Sequence, residues 1–276
     1  MPRSVLRWFA AALLALAAPV VAAQSLLPVR VSVAGNVATV GIGPANAELA
    51  DLTLTFDGVT GLTPANLGVS AQLVSLSDPA LLSRLPGSLA SLDPAFPLLI
   101  TVEPPAGGLA LQRLVHVEVH THALPYTYGS SFRLFKAPLA GPFRDITTQI
   151  AQGSVRARGT TGGFSQFLVL TDVRPTGAVA LEKLDRLQSR IALLPDSEGI
   201  ALEAHRGAAE RAFREARYTD ALAHLDALAE RVSERAGSGI PQVWTAGGGS
   251  QNHAGELLAG VGTAKFSIAY LRNFGR

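Results

Sequence analysis

The sequence predicts an α+β protein: an N-terminal antiparallel β-sandwich of Ig-like type followed by a small C-terminal antiparallel helical bundle. Three observations carry this expectation. Residues 24–175 alternate apolar and polar with a period near two and are punctuated by Gly and Pro. After Pro175 the period becomes helical, so residues 176–276 form the second unit. Residues 1–23 match neither pattern and have the three-part form of an export signal.

Arg3 and Arg7 precede an uninterrupted apolar run from Trp8 to Ala18. Pro19 breaks that run, and Val21-Ala22-Ala23 supplies small residues for a signal peptidase, which places cleavage after Ala23. The run is shorter than the roughly 20 residues a helix needs to cross a bilayer, and no later stretch reaches that length. The expected product is an exported chain, periplasmic or secreted, with no transmembrane segment. It contains no cysteine, which excludes a lipid-modified N-terminus, a thiol nucleophile, iron–sulfur clusters and Cys-based zinc sites.

In the sandwich half, Val29–Val33 and Val37–Ile42 read as paired strands turning at Gly35-Asn36. Leu52–Phe56 reads as a strand ending at the turn dipeptide Asp57-Gly58. Further strands are expected at Val69–Val74, Pro97–Val102, Leu114–Thr121, Phe132–Phe135, Ser154–Arg158 and Phe164–Thr171. Asp78–Asp93 reads as a long connection with one helical turn.

In the helical half, Ala180, Leu184, Leu187, Ile191 and Leu194 mark one face of a first helix. Pro195-Asp196-Ser197-Glu198 separates it from a second helix carrying Leu202, Ala209 and Phe213. Thr219 is placed to cap a third helix with Ala221, Leu225, Leu228 and Val232. Gly247-Gly248-Gly249-Ser250 reads as a linker before a last helix with Leu257, Val261, Ala264, Ile268 and Leu271. Glu182 and Arg186 have the spacing of an exposed helical ion pair.

Charge narrows the function classes. The whole chain has 23 basic and 21 acidic residues, and loss of Arg3 and Arg7 with the signal balances them. A neutral chain lacks the clustered basic footprint of nucleic-acid binding, so no nucleic-acid partner is expected.

The sharpest chemical pattern is His116-Val117-Glu118-Val119-His120-Thr121-His122. Alternation in a strand puts His116, Glu118, His120 and His122 on one face, neighbours about 6.5–7 Å apart. Two imidazoles at that spacing can grip zinc or copper, with the carboxylate as a third ligand. A solvated outer sheet face, or a pH-sensitive contact surface, gives the same alternation. His205 reads as a partly buried bundle residue, and His224 and His253 as surface positions. The segment from Leu124 to Phe135, with Tyr126, Tyr128 and Phe132, suits either core packing or a stacking platform for a glycan or peptide. Trp244 reads as a hydrophobic plug in a loop. The sequence has no nucleophile elbow, metalloprotease helix motif, P-loop or dinucleotide glycine pattern.

Four segments of the first half carry a resemblance: Arg133-Leu134-Phe135, Phe143-Arg144-Asp145-Ile146-Thr147, Gly153 to Arg158, and Gly163-Phe164-Ser165-Gln166-Phe167. They resemble the last strands of anchor-type sandwich modules in bacterial exported and surface proteins. The helical half, through Phe213 to Ala221, resembles the FIMAH-type helical domain. Together the halves resemble a domain-of-unknown-function family of exported Gram-negative proteins. That resemblance implies a non-catalytic accessory or binding role and transfers no catalytic residue. No sorting signal follows Thr171.

The functional expectation is therefore an exported accessory or interaction protein, non-catalytic, with a protein or cell-envelope partner and no required cofactor. The alternatives are a periplasmic metal-binding protein using His116, Glu118, His120 and His122, and an exported hydrolase whose site residues are unassigned.

Overall fold

The structure, a computed structural model, describes residues 26–275; the export signal and its cleavage point lie outside the described residues. Strands β1 (Val29–Ala34) and β2 (Val37–Ile42) form a hairpin, and β3 (Ala50–Thr60) pairs with β2. Gly35 takes φ 60° in the β1–β2 turn, a left-handed conformation that costs a side chain-free residue nothing. A short helix α1 (Pro64–Leu67), capped by Thr63, leads into β4 (Val69–Leu73). Helix α2 (Pro79–Leu82), capped by Asp78, precedes β5 (Ala90–Leu92) and β6 (Leu98–Val102). Then come β7 (Ala110–Pro125), β8 (Phe132–Ala137), β9 (Arg144–Asp145), β10 (Thr147–Ala151), β11 (Ser154–Thr161) and β12 (Gln166–Asp172). Long helices α3 (Thr176–Ile191), α4 (Asp196–Arg214) and α5 (Tyr218–Arg235) follow. Strand β13 (Val243–Thr245) and helix α6 (His253–Phe274) close the chain.

Two antiparallel sheets result. One runs β1-β2-β3-β7-β11-β10 with β13 added on β7; the other runs β4-β6-β12-β8-β9 with β5 added on β12. The alternation seen in the sequence is what buries one face of each. Leu52, Leu54 and Phe56 of β3 and Val115, Val117 and Val119 of β7 are buried. They share one hydrophobic cluster with Leu98, Ile100 and Val102 of β6, Leu134 of β8, and Phe167 and Val169 of β12. Full burial of each such side chain stabilises by about 1.5–3 kcal/mol. The helices bury the predicted stripes, including Ala180, Leu184, Leu187 and Ile191 of α3 and Leu257, Val261, Ala264 and Ile268 of α6, in a second cluster.

Three local expectations are corrected. The strand containing Leu52–Phe56 does not end at Asp57-Gly58: it continues to Thr60 through a bulge, with Phe56 opposite Val115 and Gly58 opposite Gln112. The extra residue lies on β7, where Arg113, at φ 58°, and Leu114 stand opposite the single residue Asp57. Thr219 does not cap α5, which begins at Tyr218. Ala216, at φ 56°, ends α4 in the left-handed region, and Arg217 N donates to Ala212 O at 2.8 Å, so the chain has turned before Thr219 is reached. The segment with Trp244 is a strand rather than a loop, pairing Trp244 with Leu111.

The helical half therefore returns to the sheet. Arg113, within β7 at φ 58°, donates its N–H to Gln242 O at 2.9 Å and offers its carbonyl to Asn252 Nδ2 at 2.6 Å. Asn252 caps α6 by accepting from Gly255 N at 2.8 Å and also donates to Gly162 O at 3.0 Å. A Cβ on Gly255 would lie 2.1 Å from Arg113 O, so only glycine lets α6 seat this closely on β7.

Deeper in the same seam, Lys183 of α3 meets Asp145 of β9 at 2.5 Å, with side chains 1% and 2% exposed. Lys183 Nζ also donates to Ser267 Oγ at 2.8 Å and Thr263 O at 3.2 Å on α6. All three ammonium protons thus have acceptors, on two structural elements. The other Asp145 oxygen accepts from Thr147 N at 2.8 Å. Removing one partner strands the other charge. Lys183→Met is expected to lower stability by about 3–5 kcal/mol. Adding Asp145→Asn to it should recover a substantial part. Urea denaturation of both variants checks this, and equal losses in the single and double variants would show that the pair is not coupled.

Candidate functional site

The four predicted site residues do share the outer face of β7, but the structure divides them among different partners. His116 Nε2 lies 3.2 Å from Asp57 Oδ1. Glu118 is held by Arg156, 2.8 Å away, and by Arg158, both on β11. Burial alone would raise the Glu118 carboxyl, but Arg158 and Arg156 hold it below its ordinary range. His120 and His122 converge instead on Asp51 of β3, with Nδ1 and Nε2 respectively 3.3 and 3.0 Å from Asp51 Oδ2. Asp51 is the cross-strand partner of His120. That register is not readable from the sequence, so Asp51 carried no signal there.

The other singled-out residues are dispersed. His205, His224 and His253 are all half-buried; for His224 and His253 this departs from a surface position, and burial, with Arg190 nearby, lowers the His253 imidazole. Tyr126 packs on the sheet core and Phe135 is fully buried. Tyr128, 83% exposed, stacks edge-on against Phe274 at 5.0 Å, so the aromatic segment is mostly core. Trp244 packs edge-on against Phe164 at 5.8 Å.

A concavity with a volume of about 520 Å³ lies in the seam between sheet and helices. That is within the usual range for small-molecule sites. One wall comes from Lys136, Arg144 and Asp145 and the β11–β12 turn from Thr160 to Ser165. The facing wall comes from Lys183, Arg186, Leu187 and Arg190 of α3 and from Asn252, Glu256, Ala259, Gly260 and Thr263 of α6. Trp244, Ser250 and Gln251 close one end. The turn and α6 meet so closely that a Cβ on Gly162 would lie 2.7 Å from Glu256 N.

Five cations line this cleft against two carboxylates. Lys183 is committed to Asp145, while Lys136 and Arg190 share Glu256 at 3.3 and 3.6 Å. Arg186 pairs with Glu182, outside the cleft. Burial lowers the Arg186 guanidinium first; Glu182 offsets this, and the neighbouring charge of Arg144 adds to it. Arg144 forms no ion pair or side-chain hydrogen bond among the described residues. Burial would raise Glu256, but Lys136 and Arg190 bring its carboxyl below the ordinary range. Asp145 is lowered in the same way: burial opposes, and Lys183 and the hydrogen bond from Thr147 prevail. Sequence reasoning passed over this site. The signal it held was Lys183, a charge placed between Ala180 and Leu187 on the apolar stripe of α3.

Antiparallel sheets joined to mainly C-terminal helices, with a cation-lined cleft at their junction, define a mixed α+β protein with an internal cleft. The chain belongs to the family described as a family of unknown function (DUF6689), which matches residues 11–272. No curated protein and no solved structure matches it.

The depressed carboxyls set the acid response. A carboxyl whose folded pKa lies below its unfolded value stabilises the fold above the unfolded value, about 3.9 for Asp and 4.3 for Glu, and loses that contribution as pH falls through the folded value. Thermal stability is therefore expected to decline modestly below about pH 6.5, where the half-buried His253 resists the proton that the unfolded chain accepts, and to fall steeply below pH 4 as the carboxyls are protonated. Lys136→Met removes a cation that holds Glu256 down and should shrink the acid-side loss. Scanning calorimetry from pH 7 to pH 3 on both proteins measures the difference.

Proposed function

We propose that the protein is an exported, non-catalytic binding protein whose seam cleft takes a small organic anion. Export rests on the signal pattern of residues 1–23, with cleavage after Ala23 and a periplasmic or secreted product. In this reading the two sheets are the faces of an Ig-like sandwich, the four long helices are a bundle of FIMAH-like type, and the cleft is the joint between them.

The observation that carries the ligand class is the excess of cations over carboxylates in the cleft, with Arg144 in no ion pair among the described residues. Guanidinium groups favour carboxylate and phosphate oxygens because their planar fork donates two parallel hydrogen bonds. Arg144, Arg186 and Arg190 would hold the charged group. Trp244 and Phe164 give one end an apolar surface for the rest of the molecule. Asp145 and Glu256 are both held below their ordinary range, so neither is tuned upward toward neutral pH as a general acid is.

Trp244 supplies the readout, since the only other tryptophan, Trp8, lies in the signal. Titration of the 24–276 chain with an aromatic carboxylate and with a sugar phosphate should change Trp244 emission saturably for at least one of them. Arg144→Glu combined with Arg190→Glu should weaken that binding about tenfold or more. Unchanged emission across a panel of aromatic, aliphatic and phosphorylated anions would overturn the reading.

A further inference from the structure

We propose that Asp51, His120 and His122 form a binding site for one first-row divalent metal ion, zinc foremost, on the outer face of the β3–β7 pair. The site is separate from the seam cleft and independent of its ligand. It keeps His120 and His122 of the four β7 residues and replaces His116 and Glu118 with Asp51 on the neighbouring strand.

The donor set suits the metal. Two imidazole nitrogens and a carboxylate oxygen are borderline-hard ligands that zinc and copper(II) both accept. The three candidate ligand atoms lie within 4.8 Å of one another. Two of the separations, 3.3 Å from His120 Nδ1 and 3.0 Å from His122 Nε2 to Asp51 Oδ2, approach the edge of a zinc tetrahedron, about 3.4 Å for bonds of about 2.05 Å, and a small rotation of the partly exposed rings draws the third separation, within 4.8 Å, to the same edge. The side chains are 19%, 33% and 33% exposed for His120, His122 and Asp51, so an ion can enter and water can complete its coordination.

The outer hydrogen bonds make the stronger argument. His122 Nδ1 lies 3.0 Å from the carbonyl of Glu48, which can only accept, so that nitrogen carries the proton. In the neutral ring Nε2 then presents a lone pair, and it faces Asp51 Oδ2, a carboxylate that also only accepts. Two lone pairs 3.0 Å apart repel unless a cation joins them. That cation is either a second proton on His122 or a metal ion. His120 fits the metal: its Nε2 lies 2.8 Å from Ser154 Oγ, which can accept a proton there and leave the Nδ1 lone pair aimed at Asp51. Both rings thus have the outer partner that metal-bound histidines use to fix their tautomer and orientation. Neighbouring positive charge is absorbed elsewhere: Arg156, opposite His120 on β11, is bound to Glu118.

The test is calorimetric titration of zinc chloride into the chelator-stripped, signal-free chain at pH 7.5, with thermal shift in parallel. One zinc per chain is expected, with a zinc-dependent rise in Tm. Asp51→Asn and His122→Gln should each weaken binding by tenfold or more, and His116→Gln should leave it unchanged. Circular dichroism of each variant checks that it remains folded. Failure of wild-type protein to bind zinc or copper would overturn the proposal, as would binding that survives Asp51→Asn and His122→Gln. Nitrogen NMR of the imidazoles supplies an independent arm: zinc should shift the His120 Nδ1 and His122 Nε2 resonances. A doubly protonated His122 at pH 7.5 that ignores added zinc would establish a plain ion pair instead.

Discussion

The Lys183–Asp145 pair is the constraint on which the rest of the arrangement turns. One ammonium, almost wholly out of water, binds β9 through Asp145 and α6 through Ser267 and Thr263, while its own backbone belongs to α3. Such a group has a single satisfactory position, because any shift of α3 or α6 along the sheet leaves a buried charge or carbonyl unpaired. Apolar packing alone is more forgiving of sliding, since a Leu can find a neighbouring groove at modest cost. The pair fixes the register of helices on sheet, and the cleft exists because that register holds α3 and α6 beside the β11–β12 turn.

Around this point the seam holds several further polar contacts. Arg133 is buried against Phe266 and Tyr270, with its guanidinium 5.1 and 4.3 Å from their rings, and it donates to the carbonyls of Ser130 and Phe132. Tyr270 donates to Gly129 O at 2.8 Å. Asn252 ties the other end of α6 to two separate sheet segments. Each of these contacts is directional, so the seam fixes the orientation of the helices on the sheet as well as their distance from it.

Much of this was legible beforehand, and the parts that were not share one physical character. The α3 and α6 stripes and the strands around Leu54, Val117 and Val169 are local patterns, set by the pitch of a helix or the alternation of a strand, and the structure follows them. Strands β9 and β10 are short and polar, so no apolar run announced them. Strand β13 exists because Arg113 and Leu111 offer it partners, a fact written far upstream of it. Asp51 likewise became a partner of His120 and His122 only through cross-strand register. Glu118, by contrast, looked like a ligand because the arginines that claim it, Arg156 and Arg158, lie on another strand. Periodicity reports which way a residue faces, but pairing reports what it meets.

The return of the chain to β7 also bears on how such a protein can change over evolutionary time. A helical unit joined to a sheet by one linker is a cassette that recombination can move intact. Here the helical segment leaves the sheet after β12, gives back a strand at Val243–Thr245, and only then lays down α6. Cutting at the apparent boundary would remove a strand from one half and leave the edge of β7 open to pairing with another chain. A cut there would part β13 from its partner strand, and the family match likewise covers both halves, residues 11–272.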